Sequence, residues 1–213
     1  ARNIGAKLAK GNYLFFLDSD DWIDTKTLEE IYSFSLLQNK KTYVFPDIKM
    51  EGMRKGFIKK EYNFFEQLFF NQLPYCLFIS KKIFLKYGLY DENMRKGYED
   101  WELNIRLGSK GIFGKRYAKS LFHYNVSKDG MLISRSLENH VFLWKYIKKK
   151  NKYLYQPKQL ISSWKSWRSN LSSYPLWLYF IWYLVIDYLP SSISLKIFLF
   201  IRNTKINFLN KKF

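Results

Sequence analysis

The chain has 213 residues, 47% of them apolar and 20% aromatic, with 36 basic and 18 acidic side chains for a formal net charge of +18. That length and apolar content suit one catalytic core with an appendage and exclude a disordered chain, while the lone Cys76 excludes an intrachain disulfide and so a disulfide-stapled secreted fold. From residue 141 onward there are 13 basic side chains and 1 acidic one, a surface for an anionic partner, phospholipid or nucleic acid.

Residues 2–10 suit a short helix closed by Gly11, and the apolar run Tyr13–Leu17 has the length of a buried strand. Asp18-Ser19-Asp20-Asp21 follows at that strand's carboxyl end, where ligands of open α/β sheets gather. Thr27 and Glu30 have capping-box spacing for a helix to about Gln38. Strands are predicted at Thr42–Ile48 and Cys76–Ser80, helices at Phe64–Asn71 and, after Ser80, through Tyr87. A helix over Glu99–Ser109 puts Trp101, Ile105 and Gly108 on one side and ends by Gly111; Ile112–Ala118 and Leu121–Val126 read as two further strands. From Ser134 the chain reads as helical, with breaks at Pro157, Pro175 and Pro190.

Within that helical region Leu176–Ile186 is an uncharged, aromatic-rich run. It is shorter than the roughly 20 residues that span a bilayer, which leaves an interfacial or re-entrant helix, or a buried core helix. Lys148, Lys149, Lys150 and Lys152 precede it and Lys205, Lys211 and Lys212 follow it, so bases flank the apolar segment. Trp and Tyr concentrate where a ring meets oil at one end and water at the other. The run is too continuously apolar for a base-stacking groove, so the expected partner is an anionic membrane surface and not nucleic acid.

Three carboxylates within four positions repel one another unless a cation or hydrogen-bond donors offset the repulsion. A hard divalent ion takes one or two carboxylates and leaves positions for phosphate oxygens, so Asp18 and Asp20 suit a metal-diphosphate site; an acidic turn capping the next helix is the plainer alternative. Glu99-Asp100, after Gly97, opens a helix: a carboxylate there is either held by backbone N–H groups or aimed into a cleft as a general base.

These pieces resemble, in content and order, the inverting family-2 glycosyltransferases of the GT-A fold. The likeness rests on Ala1-Arg2-Asn3-Ile4-Gly5, Ala9, Gly11, Tyr13 and Phe16-Leu17-Asp18-Ser19-Asp20-Asp21, then on Gly88-Leu89-Tyr90-Asp91-Glu92, Glu99-Asp100-Trp101-Glu102-Leu103, Arg106 and Gly111. The helical region over 136–213, read from its basic and aromatic content as membrane-associating, lies outside the likeness, which implies an α/β, Rossmann-like mixed sheet over residues 1–135. The likeness also implies a nucleotide-sugar donor, a glycan or lipid-linked acceptor, Mn²⁺ or Mg²⁺, and work at the cytoplasmic face of a membrane, in cell-surface polysaccharide or glycoconjugate synthesis. Carried over residue by residue, Asp100 is the catalytic base, Asp18 and Asp20 meet the metal, and Arg2, Asn3, Asp18, Asp20 and Glu99 lie by the nucleotide sugar. His123 falls where some relatives place a further metal or phosphate contact.

The QxxRW sequence of processive relatives is absent, since Gln159 is followed by Leu160, Ile161, Ser162 and Ser163; single addition is expected. Haloacid-dehalogenase-like phosphohydrolases share an acidic pair after a strand, but Trp22 stands where they usually place Thr or Val. The family's first nucleotide-binding units have no counterpart before Ala1. The alternative expectation is therefore a catalytically incomplete fragment that binds a membrane or a partner chain, the partner supplying the missing strands at an exposed sheet edge.

Overall fold

The computed structural model describes residues 1–71, 73–127, 139–169 and 174–210, with backbone alone for residue 120 and residues 201–210. Among these residues β1 (Tyr13–Phe15), β2 (Trp22–Ile23), β3 (Thr42–Gly52), β4 (Gly56–Ile58), β5 (Phe78–Ser80) and β6 (Phe113–Val126) form one sheet. Its order is β1-β5-β3-β6-β2, with β4 also on β3. β3 and β6 run parallel and the other pairs antiparallel, so the sheet is mixed, as expected for an α/β fold of GT-A type.

Around it lie α1 (Arg2–Leu8), α2 (Thr27–Leu36), α3 (Phe64–Gln67), α4 (Lys81–Tyr87) and α5 (Glu99–Ser109). After them come α6 (His140–Lys150), a 3₁₀ turn (Lys152–Tyr155), α7 (Pro157–Trp167), α8 (Leu176–Tyr188) and α9 (Ser191–Asn210). The three prolines act as the sequence requires: Pro157 opens α7, Pro175 precedes α8 and Pro190 separates α8 from α9.

Several local expectations yield to tertiary contacts. Ile112–Ala118 and Leu121–Val126 are one strand, because parallel β3 is long enough to pair with both and absorbs the interval at a bulge, with Pro46 opposite Tyr117 and Ile48 opposite Phe122. The capping box does not form. The α2 N-cap is Lys26, the Thr27 hydroxyl donates to the Leu121 carbonyl at 3.1 Å, and Glu30 accepts from the Tyr117 hydroxyl and Lys119 at 2.7 Å each. Neighbours on β6 outcompete the local cap. Leu17, read as part of a buried strand, is exposed beyond β1, and α3 stops at Gln67.

α5 is the central helix of the core, with Trp101, Leu103, Ile105 and Leu107 all fully buried. The Trp101 indole donates to the Gln67 carbonyl at 2.6 Å, so a buried N–H is not left unpaired. Gly108 lets α5 close on α3: a Cβ there would come 2.2 Å from the Phe64 ring. Arg106 donates to the carbonyls of Tyr87, Gly88 and Leu89 while paired with buried Glu102, which fixes the turn between α4 and α5.

The helices beyond residue 139 share this core. Val141, Leu143, Trp144, Ile147, Tyr155, Tyr179, Trp182 and Ile186 belong to the same apolar cluster as Trp101 and Phe69. The Trp144 indole and Tyr155 hydroxyl both donate to the Leu68 carbonyl, and Tyr179 donates to Glu66. The expected division near residue 135, and the start of the helical region at Ser134, lie outside the described residues, as do Lys211, Lys212 and the Lys205 side chain. Two lysines of the first basic cluster serve the fold: Lys148 pairs with Asp187, and Lys150 pairs with Asp91 at 2.6 Å and Glu102 at 3.0 Å.

α8 is apolar on two sides. Tyr179, Trp182 and Ile186 face the core, Trp182 stacked on Trp144 with ring centroids 5.6 Å apart. Trp177, Ile181, Leu184 and Tyr188 form an exposed stripe at helical spacing. No described helix is long and apolar enough to cross a membrane.

Candidate active site

The acidic turn leaves β1 at Asp18, and its three carboxylates meet three different environments. Asp21 is buried: it accepts from the Tyr75 hydroxyl and from the Asn125 N–H at 2.8 Å. Burial pushes its carboxyl above the ordinary range, against the pull of those two donors. Tyr75 also accepts the Asp18 N–H at 2.9 Å, so one phenol pins both ends of the turn. Asp18 binds Arg2 through both carboxylate oxygens, at 2.7 and 2.8 Å. Asp20 is exposed and makes no hydrogen bond or ion pair with a described residue.

The second carboxylate pair is placed by a strained turn. Gly97 has φ +112° and Tyr98 φ +62°, a left-handed conformation that costs a non-glycine residue free energy and that brings α5 in abruptly at Glu99. Tyr98 is the N-cap and supplies no side-chain cap; Asp100, two residues on, takes up a backbone N–H of the first turn instead. Its Oδ1 accepts the Trp101 N–H at 2.7 Å and its Oδ2 accepts the Asn71 amide at 3.1 Å. Burial first, then neighbouring Glu99, push the Asp100 carboxyl up to about 6; Asn71, the Trp101 N–H and Arg2 pull it down but do not prevail.

Arg2 ties the two acidic segments together. Its guanidinium reaches Glu99 at 2.7 Å as well as Asp18, and it lies over the rings of Tyr75 and Tyr90 at 5.1 and 5.3 Å. Four of the residues expected at the site, Arg2, Asp18, Glu99 and Asp100, are thus linked in space, with Asp20 beside them on the turn. Asn3 is spent otherwise. Its buried amide donates to the Tyr90 carbonyl at 2.8 Å and accepts the Tyr90 N–H at 2.7 Å, as a neighbouring strand would. His123 sits on β6 stacked against Trp22, with one ring nitrogen 3.2 Å from Glu51 and the other 3.0 Å from Asp24. Each ring nitrogen thus faces a carboxylate, and His123 bridges β6 to Glu51 on β3 and to Asp24 just beyond β2.

A cavity of about 370 Å³ opens beside Asp100, lined by Asn71, Tyr75, Trp101, Phe122, Tyr124 and Lys60 among others. Tyr75, Asn71 and Lys60 carry no sequence signal of their own; only their contacts with the two acidic segments or the cavity mark them. Among the described residues no group of three or more His, Cys, Asp and Glu side chains is placed to hold a metal unaided. The donor set present, one open carboxylate and one shared with Arg2, suits a Mg²⁺ or Mn²⁺ ion that completes its shell with phosphate oxygens and water.

A family model described as glycosyltransferase-like family 2 matches residues 1–132. The minor teichoic acid biosynthesis protein GgaB of Bacillus subtilis (strain 168) is 29% identical over 139 residues, 61% of this chain and 15% of that protein. The poly(ribitol-phosphate) beta-N-acetylglucosaminyltransferase TarP of Staphylococcus aureus (strain N315) is 45% identical over 38 residues, 18% of this chain and 12% of that one. The chain therefore spans a small part of each relative's length. In three dimensions the crystal structure of S. aureus TarS 1-349 matches with a TM-score of 0.50 and 16% identity, covering 82% of this chain and 53% of that one; at that identity the likeness speaks to fold alone.

Proposed function

The chain belongs to glycosyltransferase-like family 2, a family of transferases, and on that premise we propose that it serves transfer of a sugar from a nucleotide-sugar donor to a hydroxyl of a cell-wall polymer, with inversion. The observation that carries this reading is Asp100. Its carboxyl is raised to about 6, faces a cavity, and lies one residue from the carboxylate that Arg2 joins to the acidic turn. At neutral pH such a group is ionised yet basic enough to take a proton from an attacking hydroxyl, the condition for general-base work. Attack from the side opposite the leaving nucleotide is one displacement, and one displacement inverts the anomeric carbon. The names of GgaB and TarP, taken as a guide to substrate, favour an acceptor of the teichoic acid kind.

Asp20, with Asp18 behind it, would hold Mg²⁺ or Mn²⁺ beside the donor's diphosphate. When bound, the ion supplies positive charge where negative charge develops on the departing nucleoside diphosphate. Arg2 keeps Asp18 and Glu99 from repelling each other and the diphosphate. Asp21 and Tyr75 hold the turn in place. The test is calorimetric titration of the full-length protein with nucleoside diphosphate and Mn²⁺. Asp20→Ala should abolish the metal-dependent part of binding, and equal affinity in mutant and wild type, with or without chelator, overturns the metal assignment.

The exposed stripe on α8 favours one addition: attachment to an anionic membrane at the cytoplasmic face. Trp177, Ile181, Leu184 and Tyr188 present apolar and aromatic surface, and exposed Lys149, Lys158, Lys165 and Lys196 lie on helices of the same region. Aromatic burial at an interface adds a term that salt does not screen, and each nearby base adds roughly 1 kcal/mol on an anionic leaflet. Trp177→Ser with Leu184→Ser should reduce retention on phosphatidylglycerol vesicles at high salt without moving the melting temperature. Undiminished retention would place any anchor elsewhere. Truncation is the wrong test, since α8 also contributes Tyr179, Trp182 and Ile186 to the core.

A further inference from the structure

Among the described residues, Lys60, just after β4, is the only lysine or arginine lining the cavity beside Asp100. Its ammonium makes no hydrogen bond or ion pair with any described residue, whereas Lys148 and Lys150, also partly buried, each have a carboxylate. Burial holds Lys60 below the usual lysine range, and the charge of Glu66 offsets this only in part. Glu66 itself accepts the Tyr179 hydroxyl at 2.9 Å. A cation taken partly out of water without a partner is costly, and a cavity that keeps one is suited to an anion from outside.

The rest of the lining limits what that anion belongs to. Phe70, Trp101, Phe122 and Tyr124 give the cavity mainly aromatic walls, suited to the carbon faces of a polyol or sugar. Asp100, ionised at neutral pH, repels an anion close to itself and attracts a hydroxyl. Arg2, Asp18 and Asp20, the groups assigned to the donor diphosphate, do not line this cavity. A ligand that satisfies both ends carries a hydroxyl at one point and a phosphate a short chain away.

We propose that Lys60 binds a phosphate of the acceptor and so selects a polyol-phosphate chain, holding it with a hydroxyl toward Asp100. The assignment rests on Asp100 marking the acceptor side of the site. Lysine suits this task as a point charge that tolerates the varied phosphate orientations of a flexible chain.

The experiment uses the full-length protein and two probes: glycerophosphoglycerol, a phosphodiester between two polyols, and Mn²⁺-pyrophosphate, which stands in for the donor's diphosphate. Binding is read by calorimetry and by intrinsic tryptophan fluorescence, to which cavity-lining Trp101 contributes. Lys60→Met should weaken the diester by about tenfold or more, the usual consequence of losing a charge-assisted contact, and leave Mn²⁺-pyrophosphate unchanged. Lys60→Arg, which keeps the charge, should retain most of the diester affinity and guards against a merely misfolded variant. Diester binding that is absent in the wild type, or equal in wild type and Lys60→Met, overturns the proposal. If pyrophosphate affinity falls instead, Lys60 serves the donor and the acceptor assignment is lost. Asp100→Asn separates the two readings: its diester binding should still depend on Lys60, and it should fail in transfer. Full transfer by that variant would remove the base assignment and leave the phosphate site standing.

Discussion

The two acidic segments of this site, Asp18–Asp21 and Glu99-Asp100, have similar composition and opposite electrostatics. In the first, charge is kept: Asp18 is matched by the guanidinium of Arg2, Asp20 stands in solvent, and only Asp21 is buried, as an anchor for Tyr75 and Asn125. In the second, Glu99 takes the other side of the same guanidinium, and Asp100, turned into the protein, has its proton held up to about pH 6. Local sequence cannot distinguish these fates. Water access and one shared arginine do, and they turn one cluster toward binding cations and the other toward moving a proton.

The largest effect should come from removing the proton acceptor. Asp100→Asn keeps the size and much of the hydrogen bonding to Asn71, and should lower transfer by roughly 10² to 10⁴ while donor affinity holds. In the wild type the rate should fall with acid through a midpoint near 6, where Asp100 takes up its proton. The same residue should cost stability. Its folded-state value lies above the ordinary 3.8, so the stabilisation it gives is fully present below about pH 4 and is lost as pH rises through about 6. Asp100→Asn should therefore melt a few degrees above wild type at pH 7.5, with the gap closing near pH 4. A variant with wild-type turnover would reduce Asp100 to a helix-start residue.

A smaller and more diagnostic effect should follow from breaking the bridge. Arg2→Met leaves Asp18 and Glu99 without their common cation and removes one of the influences that lower Asp100. The midpoint of the pH–rate profile should then move above 6, and Mn²⁺-dependent nucleoside diphosphate binding should become more sensitive to salt. Arg2→Lys should not restore the midpoint fully, because a lysine cannot hold two carboxylates in a planar fork. An unmoved midpoint would mean that the two clusters are electrically independent.

Much of the fold was legible because its signals are short-range. Helix α5 begins and ends where the apolar spacing and Gly111 place it, α4 ends at Tyr87, and Pro157, Pro175 and Pro190 stand at helix boundaries. β2 and β4 were not, since Trp22–Ile23 and Gly56–Ile58 are too short for a period and exist only because β6 and β3 offer them edges. The aromatic run 176–186 has apolar side chains all round, so the sequence left core and interface open; packing against Phe65, Phe69 and Trp144 assigns one side to the core.

At the site, the sequence by itself determined which carboxylates are present, that one cluster follows a strand and the other opens a helix, and that a family-2 likeness runs through both. Tertiary structure alone decided their duties. Arg2 meets Glu99 across 97 positions, Tyr75 meets Asp21 across 54, and Asn71 meets Asp100 across 29. Asn3 was drawn into main-chain pairing with Tyr90, and His123 into contact with Glu51 and Asp24. Helix and turn signals are written in neighbours a few residues apart. The affinity of a carboxylate for a proton depends instead on how far water is excluded and on which charges the fold brings alongside, quantities that exist only once distant segments have packed.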